Sequence, residues 1–81
     1  MEDKKIHDRL QVLVDKEHEL RERLGRGEIT PDEEQARLRE IEIARDQSWD
    51  LLRQRQALRE AGADPDQARE RSAGEVEGYL Q

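Results

Sequence analysis

Cysteine is absent from this 81-residue chain, so neither a disulfide framework nor a thiolate metal site holds the fold together. Phenylalanine is absent too, and the aromatic content is Trp49 and Tyr79 alone. That scarcity argues against a β-sandwich or barrel, whose strands draw on aromatic and β-branched residues. No apolar run comes near the ~18 residues that cross a bilayer, so no membrane role is expected. Met1-Glu2-Asp3-Lys4-Lys5 leads straight into a periodic segment without the apolar core of a signal peptide, and the expected location is the cytoplasm. Basic charge is also in short supply. Twenty-one acidic residues against 15 basic ones leave a net charge of -6. Nucleic acid is therefore not the expected partner, because affinity for a phosphate backbone comes from cations displacing counterions.

What is present is charge of both signs, 44% of all residues, laid over a helical period. Ile6, Leu10, Leu13, Leu20 and Leu24 are spaced by fours and threes, with Glu17 in the one slot that breaks the seam. Val14 falls with them on a helical wheel and Val12 points away, which predicts an amphipathic helix over about 3–24. Gly25 or Gly27 ends it in the left-handed conformation. Thr30 then fits an N-cap, Pro31 the first helical position, and Glu33 completes a capping box three residues on. The second helix is expected from Pro31 to about Ala61, stopping at Gly62. Its stripe is Leu38, Ile41, Ala44, Leu51, Leu52 and Leu58, with Ser48 near the middle and Trp49 on the flank. Asp64-Pro65-Asp66-Gln67 repeats the capping logic and predicts a short helix from Pro65 to Arg71.

The expected architecture is all-α and single-domain: an antiparallel, coiled-coil-like hairpin over 1–62, then a short capped helix and tail over 63–81. The stripe on the second helix is wider than the first helix needs, so something else should cover it. Pairing of two hairpins into a four-helix bundle, as a homodimer, is the favoured solution. A different protein completing the core is the other. Val76, Tyr79 and Leu80 give the tail a small apolar patch, while Gly74 and Gly78 raise the cost of ordering it. The expected tail is mobile until a partner supplies a groove.

Chemistry is sparse. Counting back through the reversal sets Glu17 beside Ile41, within reach of Arg45 or Arg37. It reads either as a partly exposed seam position or as a register-fixing ion pair, with Arg45 as the first choice of partner. His7 and His18 lie eleven residues apart, about 16 Å along a helix and too far to share a metal ion. Asp15-Lys16-Glu17-His18 has the carboxylate-x-x-His spacing of di-iron bundles, but those take ligands from several helices, and the second helix has no histidine. Carboxylates alternate with arginines instead of pairing in a way that shifts their acidity, so no catalytic residue is expected. Gly25-Arg26-Gly27 leads into an acidic helix start that repels phosphate. No cofactor is expected. Trp49, on the stripe's edge beside Arg45 and Arg53, reads either as core or as an exposed binding anchor. With Arg53, Val76, Tyr79 and Leu80 it makes up the candidate partner contacts.

Three stretches, LVDKEHELRERLGRGEIT, DQSWDLLRQRQALREAG and EVEGYLQ, carry a resemblance that covers nearly the whole chain. In their order and content the chain resembles a family of short bacterial proteins, mainly from high-GC Gram-positive bacteria, known as a domain of unknown function. In that family a cysteine commonly precedes the tryptophan. Ser48 stands there in this sequence, so no thiol role carries over. The resemblance implies no known activity, substrate or cofactor, but it does imply that Val76-Glu77-Gly78-Tyr79-Leu80 is a functional tail. The expected function is a non-enzymatic helical interaction module. The alternative is a small accessory or regulatory subunit that folds fully only within a larger cytosolic assembly; a metal-binding helical bundle is more remote.

Overall fold

A computed structural model describes the backbone of residues 2–80 and the side chains of residues 2–76. Helix α1 (Asp3–Gly25) and helix α2 (Pro31–Glu60) form an antiparallel hairpin. A single 3-10 turn (Pro65–Gln67) and helix α3 (Ala73–Leu80) follow and return along α2.

Both long helices end in the same way. At the tip, Gly27 takes a φ of 74°, its N–H donates to the Leu24 carbonyl, and the Glu28 N–H donates to the Arg23 carbonyl. At the far end Gly62 takes a φ of 73°, its N–H donates to Arg59, and that of Ala63 donates to Leu58. These paired bonds satisfy the last helical carbonyls, and glycine provides them without strain on a Cβ. The α2 start is the expected capping box: the Glu33 N–H donates to Thr30 Oγ1 at 3.1 Å, and the Thr30 N–H donates to the Glu33 carboxylate at 3.2 Å.

Ile6, Leu10, Leu13 and Leu20 bury the α1 seam, and the first three form one core cluster with Leu51 of α2. Ile41, Ala44, Leu52 and Ala68 pack around this cluster. Ser48 is fully buried and donates to the Ala44 carbonyl of its own helix at 2.8 Å, which satisfies its hydroxyl without a partner across the seam. Ile29, just beyond the turn glycine, is buried at the tip.

Three expectations change. Val14 belongs to the flank and not to the seam, because it is 43% exposed. The helix expected over 65–71 is only the turn Pro65–Gln67: Asp64 caps it by accepting from the Asp66 N–H at 2.9 Å, but the backbone is already extended at Ala68. The helix lies further on. Ser72 caps α3 by accepting from the Glu75 N–H at 3.3 Å and donating to the Glu75 carboxylate at 3.0 Å. Finally, the tail does not stand off. Val76 is 1% exposed and α3 packs on α2.

Candidate functional site

The buried Arg55 centres a clasp of charges at the open end of the hairpin. Arg55 is 5% exposed; its Nε donates to Asp3, and its Nη1 donates to Asp66 Oδ1 at 2.9 Å and to the Pro65 carbonyl at 3.1 Å. Arg59 adds a second donor to Asp3 at 2.7 Å. Charge-assisted bonds from Arg59 and then Arg55 hold the Asp3 carboxyl well below the usual carboxylate range, and Arg55 does the same to Asp66. The carboxylates in return raise the Arg55 pKa further. These groups are locked in their charged forms and offer neither a base nor an acid near neutral pH. They join the α1 start, the last turns of α2 and the 3-10 turn.

A second set of polar contacts straps down the return segment. Gln54 donates from its amide to the Arg69 carbonyl at 2.7 Å and accepts from the Arg69 N–H at 3.2 Å. Gln47 donates to the Arg71 carbonyl at 3.1 Å, and Arg71 lies 3.5 Å from the buried Asp50 carboxylate. Gln47, Asp50 and Gln54 all sit on the side of α2 turned away from Trp49, given 100° of rotation per residue.

Trp49 therefore faces the uncovered side, at 45% exposure. Its ring meets His7 of α1 edge-on, with centroids 6.3 Å apart and planes at 81°. Val14 is seven residues after His7, so it lies two turns along the same edge of α1. Arg53 is exposed on the same side. His7, Val14 and Trp49 thus form an exposed apolar and aromatic edge with no part of the return segment over it.

The other candidate residues separate. Val76 is spent inside the fold, so it is not a partner contact; this is a correction to the sequence reading. The side chains of Tyr79 and Leu80 lie outside the described residues. Glu17 and Arg45 line one shallow hollow with Leu38, Ile41 and Glu42, but the bond that Glu17 makes is to Arg21, one turn along α1, at 2.5 Å. The intrahelical partner is nearer in sequence and costs less side-chain entropy to hold. Among the described residues no three His, Asp or Glu side chains converge on a point where a metal ion would sit. No described helix is long and apolar enough to cross a membrane.

The model of the family described as "Protein of unknown function (DUF2630)" matches residues 2–81. The chain belongs to the DUF2630 family. Similar chains include an uncharacterized protein of Mycobacterium tuberculosis (strain ATCC 25618 / H37Rv) and one of Mycobacterium bovis. Each is 57% identical over 67 residues, covering 83% of this chain and 77% of the relative. The resemblance read from the sequence, to a family with high-GC Gram-positive members, is therefore correct. No solved structure matches the chain. In this DUF2630 chain His7, Val14 and Trp49 stand exposed on the side that the return segment leaves open.

Proposed function

We propose that this chain is a non-enzymatic helical interaction module that pairs with a second copy of itself through the Trp49 edge of its hairpin. The observation that carries the reading is the joint exposure of Val14 and Trp49, at 43% and 45%, on a side that the return segment leaves open. Val14 stands near the middle of α1 and Trp49 lies opposite His7 toward the open end, with Arg45 and Arg53 beside it, an apolar centre inside a charged rim. Under two-fold symmetry the same patch on both copies forms the interface.

The dimensions agree. The 23 residues of α1 run for about 34 Å, and two adjacent helices with their side chains span about 20 Å. That face offers about 700 Å², close to the ~800 Å² per partner of a standard interface. The buried polar groups support the non-enzymatic reading, because each of Ser48, Asp50 and Arg55 is tied to a structural partner. Sedimentation velocity over a roughly hundredfold concentration range tests the pairing. A mass rising from one chain to two is expected. Trp49→Glu should abolish the rise while leaving the helical circular dichroism unchanged.

A further inference from the structure

A shallow hollow lies on the same edge as Trp49, away from the return segment. Glu17 of α1 and Leu38, Ile41, Glu42 and Arg45 of α2 line it, and it holds about 120 Å³. Leu38, Glu42, Arg45 and Trp49 follow one another at spacings of four, three and four residues, so the hollow and the indole share one stripe of α2. Trp49 does not fill the hollow of its own chain. Its ring meets His7, and it lies seven residues, about 10.5 Å, along α2 from Glu42.

Size and chemistry restrict what fits. A closed cavity of roughly 150 Å³ takes one benzene ring, so this hollow admits a single ring and not the face of a helix. Its charges balance once Arg21, which pairs with Glu17 at 2.5 Å, is counted, so it favours neither a cation nor an anion. Leu38 and Ile41 are half-buried and leave apolar surface for a ring to cover. Arg45 can lay its guanidinium across the face of that ring, and Glu17 and Glu42 offer carboxylate oxygens to a donor on its edge. A neutral ring with one N–H donor meets all of these conditions. The chain's single tryptophan is such a ring, 45% exposed and on the same stripe.

We infer that the hollow is the seat of Trp49 from a second copy, an inference that rests on the pairing proposed above and specifies its contact. A two-fold axis that crosses the edge at the level of Arg45, at right angles to α2, lays the two α2 helices antiparallel. Trp49 and Glu42 stand four and three residues to either side of Arg45, so the axis sets each Trp49 over the Glu42 of the other copy. Val14 lies between His7 and Glu17 along α1 and flanks the same seat. Each copy gives one indole and receives one, and the site is incomplete in a single chain.

The single tryptophan makes its own fluorescence the probe, read beside the sedimenting mass. In the parent chain, emission should move to shorter wavelength as concentration rises and the mass doubles. Leu38→Lys puts a charge in the hollow but keeps the indole; it should weaken pairing at least about tenfold and hold the emission at its single-chain position. Arg45→Glu, at a half-exposed position, should weaken pairing as well, and circular dichroism checks that both variants keep the parent helicity. Trp49→Ala should also fail to pair. Mixed together, the Leu38→Lys and Trp49→Ala chains should pair more tightly than either does alone and regain the shift, because one intact indole then meets one intact hollow. If the parent pairs and both hollow variants pair equally well, the seat is elsewhere and this inference falls while the pairing edge stands. A mixture that pairs no better than its components overturns it too. A parent chain that stays single at every concentration overturns the pairing and the seat together. Binding of N-acetyltryptophanamide to the Trp49→Ala chain in that case would assign the hollow to the tryptophan of a different protein.

Discussion

Truncating Val76 to alanine should release the C-terminal helix from the hairpin and lower the melting temperature measurably. Val76 is 1% exposed, so Val76→Ala removes two buried methyl groups, worth about 1.6 kcal/mol at 0.8 kcal/mol each. The loss has a ceiling. α3 holds on to α2 through Val76 and the contacts of Gln47 and Asp50 with Arg71, and once it detaches no further cost accrues. An eight-residue helix cannot persist alone, so detachment and unfolding of α3 are one event. A destabilisation of about 1–1.6 kcal/mol corresponds to a fall in melting temperature of roughly 4–12 °C for a domain of this size. Thermal circular dichroism measures the fall, and amide exchange of residues 73–76 reports the detachment directly. Deletion after Ser72 should lower the melting temperature by a similar amount. If both variants melt like the parent chain and residues 73–76 exchange as freely in the parent as in Val76→Ala, docking contributes nothing and the tail is a free arm.

Thr30→Ala removes the acceptor of the α2 capping box and should cost ~1 kcal/mol in chemical denaturation. Gly27→Ala should also destabilise, by about 1 kcal/mol, because a φ of 74° forces the new Cβ toward the carbonyl even though the surrounding space is open. Asp3 and Asp66 have folded-state pKa values below those of the unfolded chain, so the stability they contribute is present above the ordinary carboxylate range and is lost as pH falls through and below it. Asp3→Asn should accordingly flatten the acid limb of the stability profile below about pH 4, as followed by urea midpoints. A double-mutant cycle of Glu17→Gln and Arg45→Gln should return almost no coupling, while Glu17→Gln with Arg21→Gln should return about 0.3–0.5 kcal/mol.

The hairpin was legible because its signals are local. A four-three apolar period, a glycine past the last turn and a Thr-Pro-x-Glu start each act within a few residues, and they gave the two helices to within one residue at each end. Val14 was misread because it lies one residue after a true seam position, and one step of 100° carries it from the centre of the stripe to its flank. Ile29 lies in the turn, outside any period, so nothing marked its burial. The return segment was harder. Asp64-Pro65 does start a turn, but Gln54 takes the Arg69 N–H and carbonyl and draws the chain into an extended path, a contact made across 15 residues. The start of α3 did carry a readable sign, Ser72-x-x-Glu75, the same capping-box spacing as at Thr30. The clasp on Arg55 reaches back 52 residues to Asp3. Charged residues at helical spacing look solvated in a sequence, and partners from outside the helix, Asp3 and Asp66, make the buried arginine tolerable. Trp49 stood between core and surface for the same reason: its surroundings depend on which side of α2 the return segment takes.

Pairing through the Trp49 edge is most directly tested by an isotope-filtered nuclear Overhauser experiment on an equal mixture of labelled and unlabelled chains. The account predicts contacts between the Trp49 indole of one copy and the Val14 methyls of the other. A folded chain that shows no such contact between copies, with the hydrodynamic mass of one 9.5 kDa chain at the same concentration, contradicts it.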